Sequence, residues 1–200
     1  MSSNVSSGHL ATAFWPQPNG ATRAFARNTI LVAAGTALLA LSAKVNIPLP
    51  YVPMTMQTLV VLMIGAGYGS RLGFVTLLSY MAEGAMGLPV FASPVGGLAI
   101  LAGPTGGYLI GFAVAAFVTG WMCEHGFGRS APRVFIAMAV GHLVIFAFGF
   151  VWLAYGMTFG VERAWLAGVV PFIAGSVVKN ALATALMVVL SRRAQRIRAA

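Results

Sequence analysis

Acidic residues are nearly missing from this chain. Of 200 residues only three are Asp or Glu, against twelve Lys or Arg, and all charged residues together make up 8%. A soluble domain carries roughly 25% charged residues. The chain therefore cannot clothe a water-facing surface, and most of it must face lipid or other apolar segments. Cysteine is as scarce. Cys123 is the only one, which excludes a disulfide framework and a thiolate metal cluster. His9, His125 and His142 are scattered along the chain, which argues against an imidazole metal site. There is no phosphate-binding ATPase loop, no HExxH and no Ser/His/Asp arrangement. Without a catalytic set, the sequence points to neither an enzyme nor a cofactor.

What is present is apolar: 59% of the residues are hydrophobic. Spans of about 20 residues allow five or six membrane helices, so the fold class is an all-α integral membrane bundle. The net charge of +9 does not suggest nucleic acid, because no basic patch is interleaved with exposed aromatics. Basic residues kept on the cytoplasmic side to fix orientation explain it better.

Residues 1–22 are polar and mixed, and read as a flexible cytoplasmic tail. Nothing in them resembles a signal peptide. Residues 23–200 read as a single membrane domain of six spans, near 28–43, 55–68, 72–86, 105–122, 134–155 and 169–190. The second and third are joined only by "GSR", the mark of a tight helical hairpin. With the N-terminus inside, Arg23, Arg27, Arg71, Arg129, Arg133, Arg192, Arg193, Arg196 and Arg198 all fall inside, and only Lys44 and Arg163 outside. That bias requires an even number of spans and places both termini in the cytoplasm. The outer segments 44–55 and 87–104 are nearly uncharged and rich in Pro or Gly. Such backbone is tolerated near lipid when packed in protein or lining a cavity. They are read either as caps over an outward-facing pocket or as interfacial segments that only pack.

Lys179 stands inside the sixth apolar run. A helix starting near Pro171, a favoured first-turn residue, puts Lys179 about 12 Å further along the axis. A charge near the bilayer centre costs at least ~2.5–3.5 kcal/mol, so the ammonium needs an interior partner. That partner is a ligand, or else Glu83 or a backbone carbonyl that merely holds the bundle. Ser176, three residues earlier, shares the face of Lys179. Asn180 points about 100° away, toward a neighbouring helix. Glu83, near the outer end of the third span, is a second intramembrane charge, read as an acceptor for a substrate, as a counter-charge to Lys179, or as a residue at the water interface with no role. "GPTGGYLIGF" (103–112) opens the fourth span, with Thr105 as a prospective cap and Gly106 and Gly107 permitting close approach. Gly107 and Gly111 also form a GxxxG pair suited to helix packing. Ala33 and Ala37 give the first span a small-xxx-small face, for packing or for docking a second membrane subunit.

"VPMTMQTL" (52–59), "GLPVF" (87–91), "GPTGGYLIGF" and "PFIAGSVVK" (171–179) occur in this order, and together they resemble the BioY family, the biotin-binding membrane subunits of energy-coupling factor transporters. The resemblance implies a six-helix capture subunit (S component) of a bacterial inner-membrane uptake system, with a biotin pocket under the loops after the first and third spans. It also implies partners, namely a transmembrane coupling subunit and ATPase subunits, with Ala33 and Ala37 on the docking face. Lys179 and Ser176 are expected to serve one polar end of biotin, with Tyr108, Gln57 or Ser93 adding hydrogen bonds and Glu83, Asn180 and Gly107 close by. The chain departs from the family where an Asp commonly precedes the last-helix lysine by three residues. Ser176 stands there instead, which leaves a neutral hydrogen bond or Glu83 to balance the charge. A capture subunit for another vitamin, a small intramembrane enzyme using Lys179 and Glu83, and an assembly subunit without ligand are the rival readings.

Overall fold

Each of the six apolar runs falls on a helix. The computed structural model describes residues 10–199; residues 1–9 of the expected tail lie outside it. A short α1 (Leu10–Phe14) precedes α2 (Ala21–Lys44), a two-stranded hairpin of β1 (Asn46–Ile47) and β2 (Met54–Thr55), α3 (Gln57–Tyr68) and α4 (Ser70–Ala85). Then come α5 (Leu98–Ala102), α6 (Gly106–Glu124), α7 (Ala131–Val151) with a π-helical turn at Trp152–Gly156, α8 (Val161–Gly168) and α9 (Val170–Ala199). Among the described residues, four helical stretches are long and apolar enough to cross a bilayer: α2, α6, α7 with its π turn, and α8–α9. At 12 residues, α3 rises only about 18 Å, less than the ~30 Å hydrocarbon core.

α6 forms the centre of the bundle, packed on α3, α4 and α7. Small residues make this possible. Gly107 lies against Trp152 Cβ and Phe148 O of α7, and a Cβ added at Gly111 would stand 3.0 Å from Phe148 Cβ. The GxxxG pair is thus buried in a helix–helix seam. α2 packs on α3 and α4, and α9 on α3 and α7. Tyr80, Leu39, Leu62, Leu77, Met138 and Ile145 are fully buried. Leu41, Leu143 and Val178 are about two-thirds exposed, on the outside of the bundle. An exposed apolar surface of this extent belongs in lipid.

The two ends of the bundle are built differently. At one end the connections are short. Gly69, with φ of +88°, turns α3 into α4, and the Glu124 carboxylate accepts hydrogen bonds from Ser70 N (2.7 Å) and Ser70 Oγ (2.9 Å) at the start of α4. Arg27 is buried at this end. Its guanidinium donates to the carbonyls of Trp15 and Ala11, each at 2.9 Å, and to Asn28 Oδ1 at 3.0 Å. These bonds tie α1 to α2. At the other end the connections are long. The segment between α2 and α3 closes as an antiparallel hairpin, pairing Asn46 with Thr55 and Ile47 with Met54. The segment between α4 and α5 folds back in turns.

Candidate binding site

Under these two long connections lies a cavity of about 470 Å³. This falls within the roughly 300–1,000 Å³ of small-molecule sites. The hairpin contributes Asn46, Pro48, Leu49, Val52 and Pro53 to the wall, and the second segment contributes Phe91, Ala92 and Ser93. The end of β2 supplies Thr55, and the helices supply Gln57 and Thr58 from the start of α3, Tyr108, Leu109 and Phe112 from α6, Ile145 and Phe146 from α7, and Phe172 and Lys179 from α9. The wall is mainly apolar with a few polar groups set into it, the composition that holds a lipophilic ligand and fixes its orientation.

Lys179 is the charge on this wall. Its Nζ donates to Thr55 O at 2.6 Å and lies 3.4 Å from Thr58 Oγ1. An ammonium has three donors, so one N–H direction remains for a ligand. The carbonyl foreseen as a bundle partner is there, and so is the cavity. Among the described residues no ion pair joins Lys179 to Glu83, which lies half-buried near the end of α4 and off the cavity wall.

Three more of the expected residues line the same cavity. Gln57 is buried. Its Nε2 donates to Tyr80 Oη at 2.7 Å, and its Oε1 accepts from Thr55 Oγ1 at 3.2 Å. Tyr80 Oη in turn donates to Val90 O at 2.8 Å, so the relay ends in the cavity cover. Tyr108 turns its ring to the cavity and donates its hydroxyl to Gly168 O at 2.6 Å, where α8 passes into α9. Ser93 stands in the cover.

The other expected residues lie beside the cavity. Ser176 Oγ donates to Ile173 O at 2.7 Å within its own helix. Asn180 is buried, and its Oδ1 lies 2.8 Å from His142 Nδ1 on α7. With Oδ1 as the acceptor Nδ1 is the donor of this pair, and among the described residues Nε2 is buried without a partner. Gly107 serves the α6–α7 seam. Ala33 and Ala37 are exposed on the middle stretch of α2 and off the cavity wall. Thr105 does not cap α6 as expected. Its Oγ1 reaches back to Ile100 O at 3.3 Å, because the preceding turn from α5 offers a carbonyl there.

Sequence reasoning missed Tyr80, Asn46 and His142. Tyr80 carries no charge and sits in an apolar run. Asn46 was read only as part of a loop. His142 reads as an isolated histidine without a second metal ligand, and its pairing with Asn180 on the last helix is a cross-helix bond that the sequence does not reveal.

Comparison with known proteins extends this geometry. The BioY family model matches residues 11–196. The probable biotin transporter BioY of Pyrococcus horikoshii is 38% identical over 170 residues, covering 85% of this chain and 97% of the relative. The biotin transporter BioY of Thermotoga maritima is 36% identical over 156 residues, 76% of this chain and 90% of the relative. A solved structure, the S-component for biotin from an ECF-type ABC transporter, superposes with a TM-score of 0.78 at 22% identity over 88% of this chain and 95% of that one. The fold, the covered cavity and the sequence match over nearly the whole length agree, and the chain belongs to the BioY family.

Proposed function

We propose that this chain captures biotin for uptake, as the substrate-binding subunit of an energy-coupling factor transporter. The observation that carries the reading is a single ammonium, Lys179, set in the wall of an otherwise largely apolar, covered cavity. Biotin is a lipophilic bicycle with a polar ureido end and a carboxylate tail, and it needs such a pocket. The apolar walls take the bicycle. The free N–H of Lys179 donates to one polar end, as a charge-assisted bond if that end is the carboxylate. Gln57 and Ser93 offer neutral hydrogen bonds, Tyr108 packs its ring on the ligand, and Asn46 presents an amide oxygen, since its Nδ2 is engaged by Ala43 O and Lys44 O. Ser176, Asn180, Glu83 and Gly107 support the site from behind.

In this reading residues 23–200 form one unit with six spans in the bacterial inner membrane. Both termini are cytoplasmic and the cavity faces outward. The basic bias supports that orientation, and the shortness of α3 is accommodated by the cover packed above it. A transmembrane coupling subunit docks on the exposed Ala33–Ala37 face of α2, where small side chains let helices approach closely. ATPase subunits act through it to reorient the bundle. Titration of biotin on the purified protein, with other vitamins as competitors, tests the proposal. Saturable biotin binding that other vitamins do not displace is the expected result. The absence of saturable binding, or preference for another vitamin, overturns it.

A further inference from the structure

Two other cations lie at the cavity end, and both are engaged with the cover. Lys44, the last residue of α2, donates through Nζ to Phe91 O at 2.8 Å and Ser93 O at 3.1 Å. Arg163, on α8, donates through Nη2 to Tyr51 Oη. Its guanidinium carbon also lies 4.9 Å from the ring centre of Tyr51 and 4.8 Å from that of Phe159, within the ~6 Å of a cation–π contact. The two rings meet edge to face at 5.0 Å. Tyr51 sits at the tip of the hairpin between Leu49 and Val52, which line the cavity, as do Phe91 and Ser93. Neither Lys44 nor Arg163 is on the cavity wall. Among the described residues neither has a carboxylate partner; each is bound to one cover segment, and each to a different one.

We propose that Lys44 and Arg163 are positioning residues that latch the two halves of the cover, and that they set how fast ligand passes rather than how tightly it is held. The proposal rests on the reading of the cavity as a biotin site. A bond between the cover and its frame forms whether or not the cavity is filled. Breaking it raises the open fraction in both states, so the association and dissociation rates rise together and their ratio stays nearly fixed. A residue that touches the ligand behaves differently, changing mainly the dissociation rate.

The test uses the full chain in lipid nanodiscs with radiolabelled biotin, comparing Lys44→Met and Arg163→Gln with the unaltered protein. Each substitution is expected to raise both rate constants by about threefold to tenfold, the size of one lost hydrogen bond, while Kd moves less than about threefold. Lys44→Arg keeps donors for the two carbonyls and is expected to restore the slow rates. Arg163→Lys keeps the charge but loses the planar fork and the stacking, and restores them only in part. A rise in dissociation alone, a fall in association, or unchanged rates overturns the latches. Amide hydrogen exchange without ligand reads the cover directly. Faster exchange is expected over residues 87–97 in Lys44→Met and over 46–55 in Arg163→Gln, and unchanged exchange there overturns the latches even where biotin binds. Faster exchange in a protein that binds no biotin overturns the biotin site and leaves the latches standing.

Discussion

The cavity end and the arginine end of this bundle use the same side-chain chemistry for opposite purposes. At the cavity end each cation is bonded within the protein: Lys44 to the cover, Arg163 to the hairpin tip, Lys179 to the end of β2. At the other end Arg23, Arg71, Arg129, Arg133, Arg192, Arg193 and Arg196 are exposed, and among the described arginines there Arg27 alone is buried, against carbonyls. The loops divide in the same way. Short turns close the arginine end, and long, nearly uncharged segments cover the cavity. Basic residues gathered at one end are the pattern by which membrane proteins set orientation, and the three cations at the other end are bonded to the cavity wall or to its cover.

The largest effect is expected at Lys179. Replacing it with Met removes the only charge that the described residues place on the cavity wall, and a hydrogen bond to a charged group is worth about 1.5–3 kcal/mol. Biotin Kd, measured by titration of purified protein, should rise by roughly ten- to a hundredfold. An unchanged Kd would remove Lys179 from the site and with it the contrast between the two ends.

A smaller effect is expected at Tyr80, which touches no ligand. Tyr80→Phe removes the hydroxyl that accepts from Gln57 and donates to Val90 O, leaving buried groups unpaired at a cost of about 1–3 kcal/mol. The thermal midpoint should fall by several degrees and the Kd should rise by a few-fold, less than for Lys179→Met. Equal losses from the two substitutions would mean that the hydrogen-bond relay, rather than the ammonium, defines the pocket.

Ser176→Asp sharpens the comparison within the cavity end itself. The family commonly places Asp there, but in this chain the hydroxyl is bonded to Ile173 O and faces away from the cavity. A carboxylate cannot donate to that carbonyl and must turn elsewhere. Since the position is off the wall, Kd is expected to change by less than about threefold. A larger change would show that the side chain at this position reaches the ligand.

The six helices read as spans were legible because each carries an apolar run ended by charge, Pro or Gly, whereas α1, α5 and α8 are short or carry charge and leave no such run. The charged wall residue was legible for the complementary reason: Lys179 breaks such a run. The rest needed tertiary contact. Strands of two residues leave no alternating pattern, so the hairpin at 46–55 read only as a loop. Tyr80 looks like any other apolar helix residue until Gln57 and Val90 are brought to it from 23 and 10 positions away. Lys44 and Arg163 were counted toward orientation, yet their partners lie 47 and 112 residues distant. His142 looks isolated in the sequence because its partner Asn180 is 38 residues on. Sequence shows where a charge is costly; it does not show which distant carbonyl or ring makes it tolerable.

The smallest effect on binding is expected from the arginine end. The apolar part of α9, from Val170 to Leu190, rises about 30 Å, enough to reach across the hydrocarbon core. Arg192 and Arg193 therefore stand just beyond it, and in the proposed orientation cations there are drawn to the anionic cytoplasmic leaflet by about 1 kcal/mol each. The double substitution Arg192→Gln, Arg193→Gln leaves every cavity contact in place, so biotin Kd should stay within about twofold. What should change is insertion. A reporter fused after Ala200 should show a larger fraction of molecules with the C-terminus on the outer side, because part of the orientation bias has been removed. Weaker binding by correctly inserted molecules would couple the two ends and contradict the division of labour between them. A shift in orientation with binding intact would show that this end of the bundle sets topology and the other recognises the ligand.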